Sequence, residues 1–214
     1  MAPKALSQPI RIHCHIPRSI GIAVPRRSSH TPANRQLHWR SYRRTPLFVT
    51  YSALRPWLLD RGSLTERLIR ASAGQFEVKI LFQGMGVPQL SEQRALELPA
   101  RQRALIREVI LFGNRQPWVH ARSIIPITTL AGRLRKLRKL DNQPLGALLF
   151  SDPGMARGPI EISNLSMLES WPSAVPANYG SPVQGRRSLF WLDSKPLLVS
   201  EVFLTGFTPY NKTP

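Results

Sequence analysis

The chain has 214 residues, a single cysteine (Cys14) and a formal net charge of +18. One cysteine excludes an intrachain disulfide and fits a reducing compartment, and no apolar run reaches the length of a membrane-spanning helix. The length suits one domain with a real core plus an appendage, and the charge points to an anionic partner: nucleic acid, a membrane surface or a small anionic substrate.

Residues 1–45 hold nine Lys/Arg, no Asp/Glu and four of the five histidines. Five prolines interrupt them and no helical or strand period is sustained, so the segment reads as a disordered basic extension. Its Arg-rich, acid-free start also resembles an organelle transit peptide. Trp39 and Tyr42 are placed to stack on bases, but no recognised nucleic-acid module surrounds them. The His13-Cys14-His15 run matches no common zinc spacing. A dispensable extension is the plainest expectation. From residue 46 onward, 21 basic residues face 12 acidic ones, a milder +9. That part, 46–214, is expected to be the folded domain.

Within it, Ser52 to Leu59 reads as a short apolar helix. Ser63-Leu-Thr-Glu66 is a capping-box pattern that opens a helix through about Ala71. Phe76 to Phe82 alternates as a strand, with Phe76, Val78, Ile80 and Phe82 on one face. After a Gly/Pro break, Ala104 to Phe112 is a second strand. Gly113-Asn114 is a hairpin signal, and the return strand runs from about Pro117 to Ile125. Leu130, Leu134 and Leu137 fall at helical spacing amid Arg133, Arg135, Lys136, Arg138 and Lys139, the pattern of a solvated basic face over a leucine stripe. Pro144 can start a short helix, Leu145 to Phe150. Short strands follow near Ile160 to Ser163 and Ser188 to Leu192, and Asp193-Ser194 turns the chain into Lys195 to Leu204. About six strands joined by hairpins and short loops, without regular strand-helix alternation, predict an α+β domain: an antiparallel sheet with helices packed on it.

Two charges stand out against this pattern. Leu197, Val199, Glu201 and Phe203 share one face of the last strand, and its other face is nearly all apolar. A carboxylate there is unfavourable unless protonated, paired or part of a site. Arg107 is its mirror image, sharing a face with Leu105, Val109 and Leu111. Arginine stays charged when buried, and its planar fork grips a carboxylate with two hydrogen bonds. Either Arg107 and Glu201 pair with each other, or they flank a cavity in which each handles part of a ligand. Glu108, on the opposite face from Arg107, is expected to be exposed. His120, expected on one strand face with Trp118 and Arg122, reads as structural. Gly84-Met-Gly86 lacks the third glycine and the context of a dinucleotide site. No P-loop, nucleophile elbow or zinc-ligand array appears.

An ordered set of segments resembles the chorismate pyruvate-lyase family of ubiquinone biosynthesis. It comprises Ser63-Leu-Thr-Glu-Arg67, Ile106-Arg-Glu-Val-Ile110, Gln116-Pro-Trp118, Ala121-Arg122, Ile125-Pro126 and Thr129-Leu130. It continues through Pro144-Leu-Gly146, Leu149-Phe150, Ile160-Glu-Ile162, Gly185-Arg-Arg-Ser188 and Lys195-Pro-Leu-Leu198, ending at Glu201 and Phe203-Leu204. The resemblance covers most of Ser52 to Tyr210 and leaves out the first 45 or so residues. It implies a chorismate lyase-like fold and cofactor-free, metal-free conversion of chorismate to 4-hydroxybenzoate and pyruvate. By the same resemblance, Arg107 binds the ring carboxylate and Glu201 lies at the oxygen-bearing side of the ring. Backbone groups at Leu64 and Leu145 close the site. The family often carries Met at the position of Leu64, a swap that keeps apolar bulk. The stretch around Gly180-Ser-Pro-Val-Gln184 is longer than usual. The resemblance further implies a cytoplasmic monomer with no obligatory nucleic-acid partner and no transmembrane segment.

Two rival readings remain. A ligand-sensing module of the same fold would carry a winged helix-turn-helix upstream, and the upstream segment here shows no helical period. A basic nucleic-acid-binding protein would bind with steep salt dependence, and leaves Arg107 and Glu201 unexplained.

Overall fold

The computed structural model describes residues 39–44, 53–163, 175–180 and 182–209, all within one compact unit, Ala33–Pro214. Residues 1–38, including His13, Cys14 and His15, lie outside them. Four short helices and eight strands follow in chain order, the strands forming a single sheet among the described residues. They are β1 (Trp39–Ser41), α1 (Arg55–Leu58), α2 (Leu64–Ala71), β2 (Phe76–Gly86), α3 (Leu90–Ala95), β3 (Ala104–Gly113) and β4 (Gln116–Pro126). After 3-10 turns at Ile127–Thr129 and Gly132–Lys139 come α4 (Leu145–Phe150), β5 (Ala156–Arg157), β6 (Glu161–Ser163), β7 (Pro182–Leu192) and β8 (Lys195–Leu204).

The sheet runs β1-β6-β7-β8-β4-β3-β2, every pair antiparallel, with β5 beside β7. The α+β expectation holds; the strand count is eight rather than about six. The two added strands are β1 and β5, of three and two residues, too short to leave an alternation in the sequence. β1 also moves the edge of the fold. Trp39–Ser41 pairs with Ser163–Glu161 of β6, and the Arg187 guanidinium sits 4.9 Å over the Trp39 ring. The end of the expected extension therefore belongs to the sheet.

Local chemistry explains the long central hairpins. Asn114 and Arg115 both have positive φ (51° and 61°), as do Asp193 and Ser194 (50° and 60°). That is the two-residue turn whose twist matches flanking strands. Gly113 has a packing reason as well: a Cβ there would lie 2.1 Å from the Trp118 ring. Two bulges redirect side chains. The register slips between Leu111 and Phe112 opposite Trp118, so Trp118 packs with Val119 and Ala121 instead of sharing the face of His120. A slip after Ile80 pairs Phe82 with Glu108, turning Phe82 away from the face of Ile80 and leaving it exposed.

One face of the sheet carries two apolar clusters. The first joins Trp57, Leu58, Leu64 and Leu68 of α1 and α2 to Val109, Trp118 and Phe203. The second joins Leu134, Leu137, Leu145 and Leu149 to Leu105, Phe190 and Leu197. The basic run Gly132–Lys139 thus buries its leucine stripe, as expected, though as 3-10 rather than α-helix. Ser63 caps α2, its hydroxyl accepting the Glu66 backbone N–H at 3.3 Å. The opposite face is covered in part by α3 and the residues after it. No helix among the described residues is long and apolar enough to cross a membrane.

Candidate functional site

Between the two clusters lies a pocket of about 550 Å3, its mouth included. Leu64, Arg107, Leu145 and Glu201 all line it. The floor is sheet: Arg107 and Val109 from β3, Ala121 and Ser123 from β4, Val199 and Glu201 from β8. The cover is the start of two helices, Leu64–Thr65 of α2 and Leu145–Gly146 of α4. These starts approach closely because residue 146 is glycine: a Cβ there would lie 2.6 Å from Thr65 Oγ1. First-turn backbone N–H groups have no intrahelical acceptor, so both covering segments bring donors to the pocket.

Arg107 and Glu201 do not pair. β4 lies between their strands, which separates them by two strand spacings, about 10 Å, plus a step along the sheet. Arg107, only 2 % exposed, donates through Nη2 to the carbonyls of Asp141 at 2.6 Å and Gln143 at 3.0 Å. Its Nε–H meets no acceptor, and no described carboxylate forms an ion pair with it. Burial lowers its pKa and the nearby Asp141 charge partly offsets this. This is a buried cation held by neutral groups at a pocket wall.

Glu201 instead pairs with Arg186, its cross-strand neighbour on β7. Arg186 Nε donates to Glu201 Oε2 at 2.6 Å, and Nη1 donates to the carbonyls of Trp57 at 2.7 Å and Asp60 at 2.8 Å. Arg186 is 1 % exposed and the Glu201 side chain 17 %, so the carboxylate keeps access to the pocket while its partner is sealed. Arg157 of β5 completes this end of the lining. Sequence reasoning missed both arginines as site residues. Arg186 sits in Gly185-Arg-Arg-Ser188, a segment that carried the family resemblance without a role for its arginines, and Arg157 lies on a two-residue strand. The available signal for Arg186 was Glu201 itself, a carboxylate on an apolar strand needing a partner.

The other face of the sheet corrects one expectation. Glu108 is buried, not exposed. Arg122 donates through Nη1 to Glu108 and through Nε and Nη2 to Glu92 of α3 at 2.7 and 3.1 Å. His120 lies on this face, fully buried, and burial with the nearby Arg122 charge lowers its pKa to about 4. Among the described residues no group of three or more His, Cys, Asp or Glu could hold a metal ion.

Fold and lining together define an α+β protein with an arginine-lined pocket between sheet and helices. The family model for chorismate lyase matches residues 37–212. A "Probable chorismate pyruvate-lyase" of Marinobacter nauticus is 43% identical over 150 residues, 70% of this chain and 75% of that one. One of Methylococcus capsulatus is 43% identical over 150 residues, 69% of this chain and 92% of its own. Among solved structures, the effector domain of PhnF from Mycobacterium smegmatis aligns with 69% of this chain and 91% of that chain, at 14% identity and a TM-score of 0.45. The chain belongs to the chorismate lyase family and is an enzyme of the lyase class.

Proposed function

We propose that this chain converts chorismate to 4-hydroxybenzoate and pyruvate, as the first committed step of ubiquinone biosynthesis, in the cytoplasm and as a monomer. The observation that carries the reading is the two-ended polarity of the pocket. A buried arginine without a carboxylate partner lies at one end. A carboxylate backed by a sealed arginine lies at the other.

In this reading Arg107 anchors the ring carboxylate, its unused donors completing a charge-assisted contact. Glu201 faces the oxygen-bearing side of the ring. Backbone donors at Leu64 and Leu145 close over the substrate. The reaction breaks the enolpyruvyl C–O bond and removes a ring hydrogen, leaving an aromatic ring, and the departing enolpyruvate gains a proton to become pyruvate. Aromatisation supplies the driving force, so the protein's task is to hold a reactive conformer and manage one proton. Glu201 either relays that proton or orients the substrate for transfer within itself. The +9 charge of residues 46–214 favours arrival of an anion, and no nucleic acid is needed.

The test is chorismate turnover by the purified chain, following 4-hydroxybenzoate by its absorbance, with Arg107→Ala and Glu201→Ala beside wild type. The expected result is turnover by wild type and its loss in both folded variants. A folded wild type that binds 4-hydroxybenzoate but never forms it from chorismate overturns the reading.

A further inference from the structure

The pocket lining carries three guanidinium groups, Arg107, Arg157 and Arg186, against one carboxylate, Glu201. Arg186 is matched by Glu201, and Arg107 has the role proposed above. Arg157 is left over. The hydrogen bonds it makes go to neutral oxygens: Nε to Ser188 Oγ at 3.2 Å, and Nη1 to the carbonyls of Asp60, Arg61 and Gly62 at 3.3, 2.8 and 3.3 Å. The guanidinium is spread 5.1 Å above the Phe190 ring, which itself lines the pocket. No described carboxylate forms an ion pair with it. Burial and the neighbouring Arg186 pull its pKa down to about 10, and Glu201 and Asp60 only partly offset this. A cation fixed this way, beside a second one, lacks an anion that the protein does not supply.

Chorismate is a dianion. Its second carboxylate sits on the enolpyruvyl arm, next to the ether oxygen whose bond breaks. The lining's net charge of two positive units, three arginines less one glutamate, matches that dianion. We propose that Arg157 binds the carboxylate of the enolpyruvyl arm and so directs the leaving group toward the Glu201 end of the pocket. The proposal rests on the lyase reading for the identity of the arm. The subsite itself, for an ether-linked carboxylate, rests on the geometry of Arg157. The contact is lost when pyruvate departs, so Arg157 would discriminate substrate from 4-hydroxybenzoate, whereas Arg107 holds both.

The experiment is calorimetric binding to the full chain of two stable probes. One is 3-(carboxymethoxy)-4-hydroxybenzoate, with a carboxylate on the ether arm; the other is 4-hydroxy-3-methoxybenzoate, with the ether alone. Wild type should prefer the dicarboxylate by at least about tenfold, the scale of one charge-assisted contact. Arg157→Gln should bring the two within about twofold of each other while leaving the methoxy probe nearly unchanged. Wild type without the preference overturns the proposal. So does an equal weakening of both probes, the pattern of an arginine that merely braces the Asp60–Gly62 loop. Should the glutamine variant fail to fold, Arg157→Lys decides: it keeps the charge but loses the planar fork. It should lower the preference severalfold with the methoxy probe unmoved, and an unaltered preference overturns the proposal. Chorismate turnover is read separately. A wild type that prefers the dicarboxylate but makes no product sinks the lyase reading and leaves the subsite standing. Turnover without the preference does the reverse.

Discussion

The two faces of one sheet handle buried charge in opposite ways. On the back face a cross-strand row runs Glu108, Arg122, Ser200, Arg187, Glu161. Every charge in it is matched: Arg122 by Glu108 and Glu92, Arg187 by Glu161 at 2.6 Å. One residue along each strand, the pocket-face row runs Val109, Ala121, Glu201, Arg186. Around that row, the pocket lining as a whole holds three arginines against one glutamate. Burial alone therefore does not mark a functional charge in this fold. The back face shows what a self-sufficient network looks like, and the pocket face departs from it by an excess positive charge that a ligand can meet.

Substitutions on either face test that contrast. The largest effect belongs to Glu201→Gln. Glutamine keeps an acceptor for Arg186 Nε–H, so the fold should be little disturbed. Proton relay is lost, and kcat for chorismate should fall by about 10^3-fold or more. Retention of more than a tenth of wild-type kcat would assign Glu201 to orientation alone.

Arg122→Ala comes next and acts on the fold. It leaves Glu92 and Glu108 buried without their counter-charge, which should cost about 3–5 kcal/mol of stability in urea unfolding, a large part of the whole for a domain of this size. Burial works against the Arg122 charge, yet the two glutamates outweigh it and hold its pKa above the ordinary value. The same network replaced as a unit, Arg122→Met with Glu92→Gln and Glu108→Gln, should recover much of the loss.

Arg107→Met is the pocket-face counterpart. No carboxylate is orphaned by it, so stability should hold or rise, while affinity for 4-hydroxybenzoate falls by about 10^2-fold. Should Arg107→Met destabilise the protein as much as Arg122→Ala, the distinction between the faces fails.

Much of the contrast was legible in the sequence, and the missing parts share a cause. Glu201 and Arg107 each broke an apolar alternation, a local signal, and both lie on the pocket. The β8 boundaries and both turns were equally local. What each charge meets is set by register between distant segments. Arg186 reaches Glu201 through the β7–β8 pairing, and Glu108 lies buried against Arg122, to which α3 also brings Glu92. α3 itself is six residues long with a glutamine cap, a weak sequence signature. The bulges at Leu81 and Trp118 each add one residue to one strand, which inverts facing beyond them and misplaces any residue assigned by simple alternation.

The smallest expected effect is a pH dependence confined to the back face. His120 is fully buried, and burial first and the Arg122 charge second lower its pKa from 6.5 to about 4. The unfolded chain therefore takes up a proton near pH 6.5 while the folded chain resists until about pH 4. Stability from this group is fully present above pH 6.5, declines as pH falls toward 4 and levels off below it. Between pH 7 and 4.5 the loss should be on the order of 2 kcal/mol. In His120→Gln that part of the slope disappears, whatever the variant's stability at pH 7, so the readout is the difference between the two pH values. An unchanged slope would mean that the back face tolerates a third positive charge beside Arg122. Its balance of charge would then be incidental rather than required, and the contrast with the pocket face would rest on Arg107 and Arg157 alone.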